Sequence, residues 1–302
     1  MNELSQQRVA VVTGASAGIG KAAAKALAAT GWHVIGVGRD PARTAAAEAE
    51  IRAAAAQGGR VDMIRADLSS LADTSRTAEE IVALTNRLDA LLNNAGGVVA
   101  EREVTPEGHE ATLAGNHLAP FLLTRKLMPL LEATAARTGP GAVRVVGVSS
   151  SAHEHCPAIR WDDLAYAQSY NGSAAYCHAK LANLLFTHEL AKRVAAHGIV
   201  AHAMHPGVVA SNFASHCDPG MQAYMESIKD RSMSPEQAAD TLVWLATAEE
   251  PGRSTGRYWH QRELVAPSAA ATDDAEARRL WDVSEQLVAG AEGSVAGVPA
   301  TA

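Results

Sequence analysis

The stretch Thr13-Gly14-Ala15-Ser16-Ala17-Gly18-Ile19-Gly20 follows an apolar run, Val9–Val12, and leads into a predicted helix, Gly18–Thr30. Glycines at the spacing G-x-x-x-G-x-G allow a backbone to turn tightly and to approach a phosphate closely. The start of the helix adds free N–H groups and a positive dipole end. A plain structural turn is the alternative. The position between a first strand and a first helix favours a dinucleotide-binding turn.

Short β-branched runs alternate with long alanine-rich runs along the chain. Strands separated by helices of about ten or more residues predict βαβ units, and therefore an α/β fold with a parallel sheet. No change of composition divides the chain, so we expect a single domain over residues 1–290. Residues 291–302 lack apolar periodicity and are expected to form a flexible C-terminal tail. The predicted strands are Val9–Val12, His33–Val37, Val61–Ala66, Leu88–Leu92, Ala142–Val148 and Ile199–Met204, and the predicted helices are Gly18–Thr30, Pro41–Gln57, Ser70–Arg87, Pro106–Ala136 with a break near Pro120, and Ser173–Ala196.

Composition limits the possible functions. The chain has 302 residues, with 26 Lys and Arg against 33 Asp and Glu, and a net charge of −7. This balance argues against a dedicated nucleic-acid binder, which normally presents a basic face. The 3 cysteines are widely spaced and odd in number, which argues against a disulfide framework and favours a reducing compartment. Apolar runs are interrupted well before the roughly 18 residues of a membrane span, so we predict a cytoplasmic protein with no membrane partner.

The end of the second predicted strand bears on the choice of dinucleotide. A carboxylate about 20 residues after the glycines typically holds the ribose 2′-OH of NAD, whereas Arg39 stands at that place here. A guanidinium suits a 2′-phosphate, so we predict NADP(H), with NAD(H) less favoured. In the alternative interpretation, Arg39 only caps the strand and Asp40 holds the ribose. Asp67, after the third strand, is placed to accept a hydrogen bond from the adenine amino group or to cap the next helix.

Further motifs follow in a fixed order, and with them the chain resembles the short-chain dehydrogenase/reductase family over roughly residues 8 to 290. Three segments resemble its retinol dehydrogenase branch in particular. The family motifs are Thr13–Gly20, Asn93-Asn94-Ala95-Gly96, Asn116, Ser149-Ser150-Ser151, Tyr176-Cys177-His178-Ala179-Lys180 and Pro206-Gly207-Val208-Val209, and the branch segments are Asn116–Thr124, Tyr176–Phe186 and Arg279–Ser284. The resemblance implies a doubly wound Rossmann fold with a seven-stranded parallel sheet flanked by helices.

Four residues form the predicted catalytic set. Tyr176 and Lys180 stand four residues apart on one predicted helix and so share a face. An ammonium beside a phenol lowers a pKa that starts near 10, which would make Tyr176 a general acid or base. By resemblance, Ser150 holds the substrate oxygen, with Ser149 and Ser151 as competitors, and Asn116 holds a water that links Lys180 to a proton path. A tie at a helix kink is the plainer alternative for Asn116.

The predicted cofactor contacts combine the glycine turn, the strand ends and the family motifs. No metal site is predicted, because His153, His155 and Cys156 have no second ligand pair at zinc spacing. The predicted cofactor-binding residues are Gly14, Ser16, Gly18, Ile19, Gly20, Arg39, Asp67, Leu68, Asn94, Ala95, Gly96, Tyr176, Lys180, Pro206, Gly207, Val209 and Ser211.

Two segments are predicted to shape the substrate side. Residues 152–172 lengthen the interval between Ser150 and Tyr176, as in the retinol dehydrogenase branch, and are expected to form a wall or flap. Residues 212–234 match the family's variable substrate loop, where Met221, Tyr224 and Met225 suit an apolar, adaptable pocket or a helix packed on the body.

The resemblance thus implies an NADP(H)-dependent oxidoreductase that acts on an alcohol/carbonyl pair, and most naturally reduces an apolar aldehyde or ketone. An NAD-dependent alcohol dehydrogenase, a non-catalytic NADP sensor on the same fold, and lyase or epimerase chemistry are the alternatives. A homodimer or homotetramer is also expected by resemblance, since relatives pair through the helices placed here at 106–136 and 173–196.

Overall fold

A computed structural model describes residues 7–56, 58–209, 217 and 219–291, apart from the side chains of Met221 and Tyr224. The β-strands form one sheet in the order β3-β2-β1-β4-β5-β6-β7-β8. The strands are β1 Val9–Thr13, β2 His33–Gly38, β3 Arg60–Arg65, β4 Ala90–Asn93, β5 Arg144–Val148, β6 Val200–Met204, β7 Arg257–His260 and β8 Glu263–Leu264. The order reverses between β1 and β4, which is where doubly wound sheets open a ligand crevice.

Helices cover both faces of the sheet. They are α1 Gly18–Ala29, α2 Pro41–Ala54, α3 Leu71–Leu84, α4 Ala111–Leu113, α5 Ala119–Thr138, α6 Gly172–Val194, α7 Pro219–Ser227, α8 Pro235–Thr247 and α9 Asp274–Val288. Alternate residues of β1 point to opposite faces, so Val9 and Val11 enter one apolar core and Ala10 and Val12 the other. The predicted α/β fold with a doubly wound sheet is confirmed.

The number of strands differs from the prediction. Strands β1 to β7 pair in parallel, and β8 adds an antiparallel edge through Trp259–Leu264 and His260–Glu263, so the described sheet has eight strands rather than seven. The two residues of β8 follow a tight turn at Gln261 and Arg262, both with positive φ. A pair this short carries no alternating pattern from which a strand could be predicted.

The observed helix differs from the predicted helix 106–136 in the residue at which it begins and in the place where its hydrogen bonding is irregular. Helical backbone begins at Ala111, because the Glu110 carboxylate accepts hydrogen bonds from the amides of Thr112 and Leu113. The predicted break near Pro120 is absent. Pro120 is the second residue of α5, but Leu118 and Ala119 before it are themselves helical, so its missing N–H removes one hydrogen bond from a continuous helix. The chain absorbs this in a π-helix at Ala114–Leu118 just before the proline.

Candidate active site

A cleft of about 2160 Å³ opens at the carboxyl ends of the parallel strands. Its walls combine the glycine turn after β1, the ends of β2, β4 and β5, and the start of α6. The predicted site residues among its lining are Gly14, Ser16, Gly18, Ile19, Arg39, Asp67, Leu68, Asn94, Ala95, Gly96, Asn116, Ser150, Tyr176, Lys180, Pro206, Gly207 and Val209. The structure therefore brings residues from most of the chain to one place.

The glycine turn has the backbone shape that a dinucleotide phosphate needs. Gly14 and Gly18 adopt positive φ angles of 69° and 53°, which favour glycine. A Cβ on Gly20 would collide with the Gly14 carbonyl oxygen, so this residue is a packing requirement. Ala17, the N-cap of α1, supplies no side-chain acceptor, which leaves the helix N-terminus without a capping side chain. An anionic phosphate fits this end of the helix.

The end of β4 is tied to β1 directly beside the turn. The Thr13 hydroxyl oxygen accepts hydrogen bonds from the amides of Asn94 and Ala95, both at 2.9 Å, and the Asn94 side-chain amide donates to the Thr13 carbonyl at 2.8 Å. These bonds fix the floor of the cleft at Asn94–Gly96. Thr13 was not predicted as a site residue, since its role depends on the pairing of two distant strands.

Charged side chains gather beyond β2. Arg39 and Arg43 both line the cleft, and an Arg39 nitrogen lies 4.0 Å from a carboxylate oxygen of Asp67. The Asp40 carboxylate instead caps α2, because it accepts a hydrogen bond from the Arg43 amide at 2.8 Å. Asp67 accepts from the amide and hydroxyl of Ser69, so it shapes the turn before α3, whose N-cap is Ser70. Arg43 is a cleft residue that the sequence analysis missed.

Ser150 is the serine that meets Tyr176. Their side chains share a hydrogen bond, and the Ser150 hydroxyl also accepts one from the Ala152 amide at 3.1 Å. Ser149 points the other way and donates to the Lys180 carbonyl at 2.9 Å, while Ser151 is exposed. This alternation is what an extended strand end produces. Of the three serines, Ser150 is thus the one whose side chain contacts the Tyr176 hydroxyl.

Lys180 and Asn116 lie on the other side of Tyr176. The Lys180 ammonium lies 5.3 Å from the centroid of the Tyr176 ring and donates a hydrogen bond to the Val148 carbonyl at 3.1 Å. The Asn116 side-chain amide donates to the carbonyls of Gly97 and Thr112, both at 2.8 Å. Asn116 therefore ties the π-helix to the β4 end, which is the plainer of its two predicted roles.

Burial dominates the titration of this cluster. It raises the pKa of Tyr176 above its ordinary range, opposed by the hydrogen bond with Ser150. It also lowers the pKa of Lys180 to about 8. The expected lowering of the Tyr176 pKa by the neighbouring ammonium is thus wrong for this arrangement, because desolvation of the phenol outweighs other effects. A raised pKa keeps the phenol protonated near neutrality.

The segment after β6 completes the cleft. Pro206, Gly207 and Val209 line it, and Val208 accepts a hydrogen bond from the Met233 amide at 2.8 Å. Met225 of α7 also lines it. The predicted contact Ser211, the side chains of Met221 and Tyr224, and residues 292–302 of the predicted tail lie outside the described residues.

The long segment between Ser150 and Tyr176 forms a wall of the cleft. It starts as a short 3₁₀ helix, Ser151–His155, and presents Cys156 and Ile159 among others to the cavity. His178 of α6 accepts a hydrogen bond from the Arg160 amide at 3.2 Å, and the Trp161 ring nitrogen donates to Glu276 of α9 at 2.8 Å. The predicted wall therefore rests on α6 and α9.

Within the described residues, no group of three or more His, Cys, Asp or Glu side chains could hold a metal ion. The same part of the chain contains no helix of sufficient length and apolarity to cross a membrane.

Comparison with known proteins identifies the family. Residues 8–221 match the family model described as short chain dehydrogenase. The chain belongs to the short-chain dehydrogenase family. Retinol dehydrogenase 13 of Homo sapiens is similar to this dehydrogenase, with 36% identity over 287 residues that cover 93% of this chain and 84% of the relative. The match places the dehydrogenase in the retinol dehydrogenase-like branch, as predicted.

Solved structures agree with the family. An uncharacterized protein from Mycobacterium paratuberculosis is 30% identical, with a TM-score of 0.72 and 94% of each chain covered. The RhlG active-site complex with NADP from Pseudomonas aeruginosa is 29% identical, with a TM-score of 0.65 over 83% of this chain and 93% of that one. As a short-chain dehydrogenase, the protein is an oxidoreductase of alcohol/carbonyl pairs that uses a nicotinamide cofactor and a small-molecule substrate.

Proposed function

We propose that this dehydrogenase is an NADP(H)-dependent enzyme that reduces an apolar aldehyde or ketone, with Tyr176 as the general acid. The observation that carries the proposal is the cluster at the inner end of the cleft. The Tyr176 hydroxyl bonds to Ser150 beside the Lys180 ammonium, and all three line the same cavity as the glycine turn. A sensor that only binds a dinucleotide would not need these groups together.

The choice of NADP rests on the charges beyond β2. Asp40, the carboxylate that could have held a ribose 2′-OH, is occupied as the N-cap of α2. The side chains of Arg39 and Arg43 face the cleft instead. Two guanidinium groups favour a 2′-phosphate, and they provide no acceptor for a ribose hydroxyl. The NADP complex of a structural relative is in keeping with this preference.

The proton step follows from the pKa directions. NADPH, when bound, supplies the hydride that reaches the carbonyl carbon. Burial keeps Tyr176 protonated, so its hydroxyl can donate a proton to the oxygen that becomes an alkoxide. Ser150 holds that oxygen, and the positive charge of Lys180 stabilises the phenolate that Tyr176 leaves behind. Asn116 links the π-helix to Gly97, just after the β4 end, through two hydrogen bonds of its side chain with the Gly97 backbone.

An apolar substrate suits the apolar part of the cleft lining. Val98, Ala152, Cys156, Ile159 and Met225 contribute to it. Such side chains gain free energy by covering apolar surface of a ligand. The name of the human relative specifies retinol, an apolar alcohol, and that is in line with the same class of substrate. The cytoplasmic location and the homodimer or homotetramer remain predictions.

The decisive experiment measures oxidation of NADPH and NADH at the nicotinamide absorbance band with a panel of apolar and polar aldehydes and ketones. We expect NADPH consumption with apolar carbonyls, and at most one part in about a hundred of that rate in Tyr176→Phe. Phenylalanine keeps the ring and its packing, so NADPH affinity should stay unchanged. A Tyr176→Phe variant with the wild-type rate would show that Tyr176 is not the acid.

A further inference from the structure

The three branch segments of the sequence meet at one buried place behind the catalytic residues. Phe121 of α5, Phe186 of α6 and Trp281 of α9 come one from each segment. The Trp281 ring centroid lies 5.0 Å from that of Phe121 and 5.8 Å from that of Phe186, stacked on the latter. Helix α9 is therefore packed across α6, which carries Tyr176 and Lys180, and across α5, which follows the π-helix that contains Asn116.

A buried polar contact lies beside this aromatic cluster, in addition to the hydrogen bond that the Trp281 ring nitrogen donates to Glu285 at 2.9 Å. The Nε2 atom of His117 lies 2.7 Å from the Ser284 hydroxyl oxygen, and both residues are only 1% exposed. Burial lowers the pKa of His117 to about 3, so the imidazole is neutral at working pH and the hydrogen bond does not depend on a charge. The contact links α9 to the residue next to Asn116.

The backbone at this point is unusual. Asn116 and His117 are neighbours in the π-helix Ala114–Leu118. A π-helix is rarely formed and is found mostly as a single turn at functional sites. Pro120, four residues after Asn116, disfavours the ordinary α-helical hydrogen bond locally, and tertiary contacts on both sides of the turn add to this. Asn116 is anchored on the cleft side, at Gly97 and Thr112, and His117 is anchored on the opposite side, at Ser284.

The register of this turn sets the position of Asn116 relative to Lys180. A Cβ placed on Gly96 would lie 2.5 Å from the Asn116 side-chain oxygen and 3.3 Å from the Lys180 nitrogen, so both groups converge on this glycine. An α-helical turn holds fewer residues than a π-helical turn. If this turn became α-helical, the side chains on either side of it would therefore rotate relative to each other by about 100° for each residue of difference. The Asn116 side chain would then no longer lie beside Lys180.

We propose that His117 and Ser284 are positioning residues, which hold the π-helix in register from the side of α9 and so keep Asn116 beside Lys180. The proposal rests on the proposed function, since it assigns a role in that reaction. It makes α9 part of the catalytic framework, although α9 contributes no residue to the cleft lining.

The rival interpretation is that α9 only adds stability. Ser284→Ala removes the hydroxyl, and Trp281→Phe is its matched control, because it weakens the packing of the same helix without touching His117. A second variant, His117→Leu with Ser284→Ala, replaces the polar pair by apolar side chains of similar total volume and keeps the test available if Ser284→Ala alone folds poorly. The measurements are kcat, the NADPH dissociation constant, the melting temperature and amide hydrogen exchange over residues 112–118 in the cofactor-free protein.

We expect Ser284→Ala and the double variant to lose about ten- to a hundredfold in kcat with unchanged NADPH affinity, and to exchange faster at 112–118. Trp281→Phe should melt earlier but keep wild-type kcat and wild-type exchange in that segment. If Ser284→Ala matches Trp281→Phe in kcat and exchange, or if the double variant recovers wild-type values, the proposal is overturned. If the wild-type chain reduces no carbonyl, the proposed function fails, and the exchange data still decide whether Ser284 holds the π-helix.

Discussion

The carboxylate of Asp40 lies 2.8 Å from the backbone nitrogen of Arg43, and this contact caps helix α2. The hydrogen bond from that amide is the main reason why the pKa of Asp40 is lowered. The cap keeps the carboxylate on the helix end, while the guanidinium of Arg43 joins that of Arg39 along the cleft. The Arg43 guanidinium also lies 3.6 Å from the Asp40 carboxylate, so this helix start engages the anion in both a cap and an ion pair.

Arg39→Asp should shift the cofactor preference from NADP toward NAD. Loss of one charge-assisted contact costs about 1.5–3 kcal/mol, or roughly ten- to a hundredfold in NADPH affinity, and the new carboxylate also repels a 2′-phosphate. NADPH and NADH dissociation constants, measured by fluorescence, test this. Arg52→Ala, an exposed guanidinium that lies outside the cleft lining, is the control and should change neither constant. Equal NADPH affinity in Arg39→Asp and wild type would remove Arg39 from the 2′-phosphate site.

Truncation of the apolar wall should change substrate preference rather than cofactor affinity. Met225→Ala and Ile159→Ala each remove apolar surface from the cleft lining. A substrate methylene that loses its contact loses about 0.8 kcal/mol, or roughly fourfold in kcat/KM. Values of kcat/KM for a homologous series of aldehydes check this. A parallel fall for all chain lengths, or weaker NADPH binding, would place these side chains elsewhere than beside the substrate.

The glycine turn and its surroundings show what the sequence can predict. The glycine turn and the first two βαβ units depend on periods of a few residues and on residue types with strong backbone preferences, so the pattern alone locates them. The family motifs add Ser150, Asn116 and the Tyr176–Lys180 pair. All of these come together in the cleft that the structure describes.

Features that depend on contacts between distant elements could not be predicted in this way. The π-helix at Ala114–Leu118 is held by partners at Gly97 and Ser284, which are remote in sequence. The direction of the Tyr176 pKa shift depends on how deeply the phenol is buried, and the neighbouring lysine alone did not reveal it. The strand β8 is too short for any periodicity.

Acidification from pH 7 to pH 5 should destabilise the protein, because two buried histidines have lowered pKa values in the folded state. Burial lowers the pKa of His117 to about 3 and that of His178 to about 4, from ordinary values near 6.5. Between pH 6.5 and about 4 the unfolded chain binds these protons while the folded chain does not, so unfolding takes up protons and the free energy of unfolding falls with falling pH. At pH 5 the loss should approach about 2 kcal/mol for each histidine.

Urea unfolding at pH 7 and pH 5 measures this loss. His178→Gln cannot protonate but can still accept the hydrogen bond from the Arg160 amide, so its stability should depend less on pH than that of the wild type. His197→Gln, an exposed histidine, is the matched control and should retain the full dependence. If the free energy of unfolding falls by the same amount between pH 7 and pH 5 in all three proteins, His178 titrates normally.

The rate of carbonyl reduction should fall as the pH rises through about 8. Burial lowers the pKa of Lys180 to about 8, so the ammonium that stabilises the Tyr176 phenolate is lost above that pH. Below it the lysine is charged and the rate should be level. Two other groups of the cleft lining titrate outside this range, since burial lowers the pKa of His205 to about 4 and raises that of Cys177 to about 11.

Deprotonation of Lys180 should have the opposite effect on stability, so an effect on the rate can be distinguished from an effect on folding. Between about pH 8 and its ordinary value of 10.5 the unfolded chain holds a proton on Lys180 that the folded chain has lost. The contribution of Lys180 to the free energy of unfolding therefore rises with pH in this window, so it cannot explain a loss of rate there. Profiles of kcat at saturating NADPH from pH 6 to 10, with unfolding measured alongside, test both statements. Lys180→Arg, whose charge persists throughout, should be slower but level. A wild-type rate that stays level up to pH 10 would mean that the Lys180 charge is not needed in the rate-limiting step.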